Sequence, residues 1–253
     1  MNEVVSSRAE IAGAGNAGLP DGSGVAPLVF GLPTNATVLT IQSVTGLITL
    51  NGGTGSNDAD GVLVSGTYNT GLPNGNSYSG PYGGISGITN KGAGALVGVF
   101  EPAIAPTNPA PGTLDFTTIG TSFATLSPAL DQVFFIGDGL TGDGTGTTQT
   151  FNVPAGAGRL VLGIADAGNF DGAPGAYGDN YGSFIVSFQV ATAAPLPTTV
   201  TWVGGTGDWS VSSNWSTGAL PGANDDVVIP AGPAITVTHS TGSDTVNSIT
   251  CQQ

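Results

Sequence analysis

Carboxylates, carboxamides and glycines crowd one stretch of the chain. From Asp166 to Ser183 the sequence reads Asp-Ala-Gly-Asn-Phe-Asp-Gly-Ala-Pro-Gly-Ala-Tyr-Gly-Asp-Asn-Tyr-Gly-Ser, with three aspartates, two asparagines and five glycines. Side-chain oxygens are plentiful there, and little bulk stops the backbone from turning its carbonyls inward. A hard cation needs that. Calcium takes roughly six to eight oxygen ligands at about 2.3–2.6 Å, and a loop mixing carboxylate, carboxamide and main-chain carbonyl can supply most of them. The same residue types dominate ordinary turns, because they tolerate positive φ and hydrogen-bond their own backbone. Composition alone leaves both readings open. Other loops also carry acids: Asn51–Gly61 ends Asn-Asp-Ala-Asp-Gly, and Asp138 and Asp143 follow Val133–Ile136, which raises the question of a second site.

The elements that must position these residues read as strands. The loop lies between Arg159–Ala165 and Ser183–Val190, and in the latter Phe184, Val186, Phe188 and Val190 alternate with Ile185, Ser187 and Gln189. That two-residue period belongs to a sheet with one face buried more deeply. Further strands are predicted at Pro27–Phe30, Thr37–Val44, Leu47–Leu50, Ala95–Glu101, Val133–Ile136 and Thr148–Val153, with Thr45-Gly46 read as a turn between two of them. No helical period is sustained over three turns. The expectation is an all-β chain built on a two-sheet sandwich of lectin-like, jelly-roll type. Ala191–Pro197 reads as a semi-rigid linker, since its two prolines disfavour helix and central strand. It separates a domain spanning 1–193 from a small β module spanning 198–253. The module holds all three tryptophans, Trp202, Trp209 and Trp215, which are expected to fill a sheet face. Its last strand, Val246–Cys251, should present an open edge.

Totals exclude several partners. Of 253 residues only 8% are charged, and 17 acids face three cations, Arg8, Lys91 and Arg159, for a net charge of −14. A polyphosphate is bound by clustered Lys and Arg that displace counterions, so nucleic acid is not expected, nor an anionic membrane. Six acids fall between Asp131 and Asp179 with Arg159 as the only cation among them, which invites neutralisation by a divalent metal. Cys251 is the single cysteine, so no intrachain disulfide forms. No apolar run reaches the roughly 20 residues of a membrane span, so no membrane insertion is expected. Met1–Pro20 lacks the basic start and apolar middle of a signal peptide, and a secreted form would have lost its signal.

Residues 159–186, Arg-Leu-Val-Leu-Gly-Ile-Ala-Asp through Pro-Gly-Ala-Tyr-Gly-Asp-Asn-Tyr-Gly-Ser-Phe-Ile-Val, resemble the C-terminal part of the calcium-dependent galactophilic bacterial lectins of the PA-IL type. With Phe134-Phe-Ile-Gly-Asp-Gly and Phe151-Asn-Val-Pro-Ala-Gly-Ala, the resemblance covers about residues 20–190. It implies a calcium held by Asp166, the carbonyl of Ala176, Asp179 and Asn180, with Asp171 a rival for the place of Asp166. Asp179 stands where the family has Asn, and a carboxylate there adds charge. A further carbonyl from an early loop would fall near Leu50. The family's sugar-contacting His and Gln have no counterpart, because the only histidine, His239, lies in the second module. Residues from about 201 to 229, with Trp-Val-Gly-Gly, Asp-Trp, Asn-Trp and Pro-Gly-Ala-Asn-Asp-Asp-Val-Val-Ile, resemble the opening of secreted β-solenoid and adhesin-like repeats.

The expected function is that of an extracellular, calcium-dependent carbohydrate-binding module of a bacterial surface or secreted protein, taking galactose-type or other sugars. Two neighbouring sugar hydroxyls would bridge the metal, Asp60, Asp166 and Asp179 would accept hydrogen bonds, and Tyr177 or Tyr181 would pack on the ring. The alternative is a structural subunit of an adhesin or extracellular filament, with calcium as a staple and the C-terminal β edge pairing with a neighbour. No enzyme is expected. Glycoside hydrolysis needs two carboxylates about 5–9.5 Å apart, yet none of the three glutamates falls in the strand-flanked loop cluster. His239 has no nucleophile motif near it.

Overall fold

A computed structural model describes residues 2–6, 25–50, 55–66, 77–90, 92–104, 106, 109–165, 168–170 and 177–252. The chain is all-β and divides into two compact units, Met1–Ala193 and Ala194–Gln253.

In the first unit the strands of the two principal sheets are β1 (Asn2–Ser6), β2 (Leu28–Gly31), β3 (Ala36–Thr49), β4 (Ala95–Glu101), β5 (Val133–Phe135), β6 (Thr150–Asn152), β7 (Arg159–Ala165) and β8 (Tyr181–Thr192). One sheet runs β1-β8-β3-β6, with the short pair Ser56–Asn57 and Leu63–Ser65 attached to β3 and Thr125–Leu126 beyond β6. A second runs β5-β4-β7-β2, antiparallel throughout. A single apolar core draws on both. Phe30 of β2 meets Phe188 of β8 edge-on at 5.2 Å, and Phe134 of β5 meets Phe151 of β6 at the same spacing.

The burial patterns follow from the residues. All of β4 is buried, as is β7 beyond Arg159, which explains continuous runs such as Ala-Leu-Val-Gly-Val-Phe. In β8 Phe184, Val186 and Phe188 are buried while Ile185 and Gln189 are exposed, the alternation expected of a strand with one deeper face.

Two expectations need correction. Thr45-Gly46 is not a turn: β3 runs unbroken through it for 14 residues, paired along β8 from Ala36↔Thr192 to Thr49↔Tyr181. Gly46 has φ +112° and its Cα lies so close to the Ser183 carbonyl oxygen that a Cβ would overlap it, while Gly182, at φ +94°, stands likewise against the Leu47 carbonyl. The glycines mark a close approach of two backbones rather than a reversal. Nor is the unit the expected two-sheet sandwich of jelly-roll type: its described residues form four sheets. Thr125–Leu126 pairs with β6 in parallel, Gly168–Phe170 with Ser77–Ser79, and Ile88–Asn90 with Leu114–Asp115, whereas jelly rolls are antiparallel.

The second unit is a β-solenoid stack. Its strands β9 (Thr198–Thr201), β10 (Asp225–Ile229) and β11 (Ser248–Cys251) pair in parallel, and on an opposing layer Gly207–Asp208 pairs in parallel with Val237–Thr238. Parallel neighbours require the chain to travel around and return, so each strand pair marks one coil. The coils close on Val200, Val227 and the three tryptophans, all buried. Trp215 stands edge-on to Trp202 at 4.9 Å and to Trp209 at 4.6 Å. Two indoles donate to main-chain carbonyls, Trp202 to Gly205 and Trp215 to Trp209. The expectation that the tryptophans are core is met. Asp208, at the start of the wall between coils, accepts from the Ser210 and Ser240 hydroxyls at 2.6 and 2.5 Å, and these bonds hold its carboxyl far below the usual range.

Candidate metal centre

The turn at residues 57–62 is built by its own side chains. Asp58 Oδ1 accepts from the amides of Asp60 (3.1 Å) and Val62 (2.9 Å), closing a tight Asx-type turn that ends on Gly61 at φ +78°. This turn is clamped to the approach of β4: buried Asn57 donates to the Ala93 carbonyl at 3.0 Å, and Leu96 N donates to the Ala59 carbonyl at 2.9 Å. Gly61 and Gly92 make that clamp possible, since a Cβ on either would fall within 3.0 Å of the opposing backbone. Ala165, at the end of β7, belongs to the same rim through its carbonyl, which accepts from Gly94 N.

The third strand ending there is β5. It leads into Gly137-Asp138-Gly139, where both glycines have positive φ and a Cβ on Gly137 would collide with Asp60 Oδ1 and the Phe135 ring. Asp138 N donates to Asp60 Oδ1 at 3.2 Å. Its carboxylate is held on both oxygens, by Leu140 N at 2.8 Å and Gly144 N at 2.7 Å. Gly144 follows Asp143 in the hairpin of Leu140–Gly142 with Thr145–Thr148. As a result Asp60, Asp138 and Asp143 each place a carboxylate oxygen within 4.8 Å of the others, the first two half-buried and the third exposed.

Like charges this close are costly without a counterion. Burial, and after it the Asp138 carboxylate, push the Asp60 carboxyl up to about 7, the Asp138 amide offsetting part of this. Burial also raises Asp58. Among the described residues Arg159 is the one Lys or Arg, and it pairs with Glu101 rather than with these acids. Carboxylate oxygens are the ligand type that hard divalent cations take, and three of them meet here.

The residues assigned from the 166–183 loop fare differently. Asp166, Asp171 and Ala176 lie outside the described residues, as does the side chain of Asp179, whose backbone closes the short 3-10 turn Tyr177–Asp179. Asn180 is 1% exposed. Tyr177 is also buried and its hydroxyl donates to the Ile164 carbonyl at 3.0 Å, so its ring fills the core and is not offered to a sugar. Tyr181 is exposed, at the head of β8. Asp60, read as a hydrogen-bond acceptor for sugar, is one of three converging carboxylates. The signal for its partners was the doublet Gly137-Asp-Gly and Gly142-Asp-Gly, two acids each flanked by permissive glycines.

No protein-family model, curated protein or solved structure matches this chain. No helix among the described residues is long and apolar enough to cross a membrane.

Proposed function

We propose that the first unit is an extracellular calcium-binding β module that engages carbohydrate through the metal. In this reading Asp60, Asp138 and Asp143 hold the cation and two adjacent sugar hydroxyls complete its shell, with Tyr181 as the exposed aromatic surface. The carrying observation is that carboxylates from two loops far apart in sequence converge within 4.8 Å. The polar, sparsely charged composition supports an extracellular setting. Asp138 is pre-set for the role, because two amides fix its carboxylate before any ion arrives. Calcium would supply the charge that offsets the mutual repulsion of the acids.

Calcium should raise the melting temperature by about 5–10 °C at a hundredfold excess over Kd, and a chelator should reverse it. Asp60→Asn and Asp138→Asn should each abolish most of the rise. A pH dependence follows from Asp60. Its folded carboxyl titrates near 7 against an ordinary 3.8, so the folded state binds the proton more tightly. Stability of the metal-free protein should therefore fall as pH rises from about 4 to about 7, and the calcium effect should grow over the same window. Asp60→Asn should flatten both trends. Identical melting in calcium, magnesium and chelator would refute the metal site. A calcium rise without calcium-dependent retention on a glycan array would leave a metal staple and remove the carbohydrate role.

A further inference from the structure

One non-glycine residue among those described has a positive φ: Asp131, at +61°. It is a joint between three segments. Its amide donates to the Phe100 carbonyl of β4 at 2.8 Å, and its own carbonyl accepts from Ser86 N at 2.9 Å. Ser86 follows a tight turn in which Tyr82 and Ile85 bond each other through both main-chain groups at 3.0 Å. The Ser86 side chain is fully buried, and its hydroxyl accepts from Val133 N, the first amide of β5, at 2.8 Å. Asp131 thus ties the turn to β4 and β5 through its main chain. Aspartate enters the left-handed region more readily than most residues, yet it stays there only when surrounding bonds fix it.

The Asp131 side chain is less well provided for. Oδ1 is buried without a hydrogen-bond partner, and so is Nε of Arg159. The cation acting on Asp131 is that same Arg159 of β7, which already holds Glu101 of β4 at 2.7 Å. Two carboxylates therefore share one guanidinium, and with both acids ionised the three groups carry one uncompensated negative charge. Among the described residues nothing else balances it. β2 and β5 have no charged residue, and Tyr82, the one ionisable side chain of the turn, is not among the groups acting on either carboxyl. Burial pushes both carboxyls up, Arg159 draws each back, and Asp131 adds to the rise of Glu101. One bound proton makes the cluster neutral.

We propose that Asp131, Glu101 and Arg159 form a proton-governed latch, closed on the 82–86 turn while the cluster holds one proton and released when both carboxylates are ionised. The geometry decides which member yields. Glu101 is fully buried on a strand paired along both edges, whereas Asp131 is half-buried, lies outside any strand and sits in a conformation that needs its bonds. A second negative charge is unfavourable in so enclosed a place, and outward movement of Asp131 relieves it. That movement takes the main chain along, so the bonds to Phe100 and Ser86 open. The sign follows from the raised carboxyls. The proton that favours the closed latch is held in acid and lost as pH climbs through the folded values, so rising pH opens it.

Amide hydrogen exchange of the whole chain at pH 5 and pH 8, in chelator and with each rate divided by its intrinsic value, tests this. The amides of the β4–β7 ladder serve as the reference for global opening. Relative to them, the Ser86, Asp131 and Val133 amides should be about tenfold less protected at pH 8 than at pH 5. Asp131→Asn suits the same φ and has no charge to gain. In that variant Ser86 and Val133 should be protected equally at the two pH values, and as well as in the natural protein at pH 5. Equal relative protection at both pH values in the natural protein, a pH dependence that survives Asp131→Asn, or weak protection at both pH values in Asp131→Asn would each overturn the proposal.

Discussion

Arg159→Met is expected to destabilise the first unit by about 3–5 kcal/mol, the usual cost of leaving one member of a buried ion pair alone. Arg159 and Glu101 face each other in register on β7 and β4, with Nη2 2.7 Å from Oε2. The Glu101 side chain is fully buried and that of Arg159 is 21% exposed, so the pair spans the boundary of the core. Burial pushes the Glu101 carboxyl above its ordinary range, Arg159 draws it back, and nearby Asp131 adds to the rise. Methionine fills the space of the arginine stem but supplies no charge. The folded state would then hold a proton on Glu101 at pH values where the unfolded chain releases it. Stability should consequently fall as pH rises above about 4.5 in this variant, more steeply than in the natural protein. Urea denaturation at pH 5 and pH 8 measures both effects. Adding Glu101→Leu should recover most of the loss, since apolar replacement of a whole buried pair is often neutral or better. A loss under about 1 kcal/mol at both pH values would mean that water already solvates the pair.

Trp215→Ala should cost the second unit about 3–5 kcal/mol, the range for deleting a buried aromatic side chain. A unit this small has little margin beyond that. Trp215 is the hub of the aromatic cluster: it touches both other indoles edge-on, donates to the Trp209 carbonyl at 2.9 Å, and its backbone bridges Trp202. Its loss removes two ring contacts and a hydrogen bond together with the volume. Near-ultraviolet circular dichroism should lose the signal of the two remaining tryptophans at 25 °C, and Trp215→Phe should retain some of it. A native-like spectrum in the alanine variant would show that Trp202 and Trp209 are held without their central partner.

Much of this architecture is readable locally. Ala95–Glu101 and Arg159–Ala165 announce themselves as unbroken apolar runs, Phe184 to Phe188 as an alternation, and the three tryptophans as a small core. Local signals fail where a residue answers to something distant in sequence. Gly46 looks like a turn because nothing nearby says that the Ser183 carbonyl lies against it. Tyr177 looks available to a ligand until Ile164, in a neighbouring strand, takes its hydroxyl. The acid triad is of the same kind. Asp138 and Asp143 share one hairpin, but Asp60 reaches them across 78 residues through a contact that depends on Gly137 having no Cβ. Turn chemistry made each acid visible, and only the fold brought them together.

The ladders around β8 also determine how the first unit responds to force. Asn2 lies opposite Ser187 and Ser6 opposite Ser183, so the first residue of β1 is the one nearest the end of β8 from which the chain leaves for the second unit. Tension between Asn2 and Ala194 therefore enters β1 and β8 at the same end, and their hydrogen bonds break in succession instead of sharing the load. The unit is built as a zip fastener, with β1 as its first teeth. Single-molecule stretching between those two points should release β1 at a force well below that needed when the same ladder is pulled from opposite ends, and equal forces in the two geometries would rule this out. Under flow or traction the strand that yields first would be the one whose departure uncovers Val5, Phe184 and Val186.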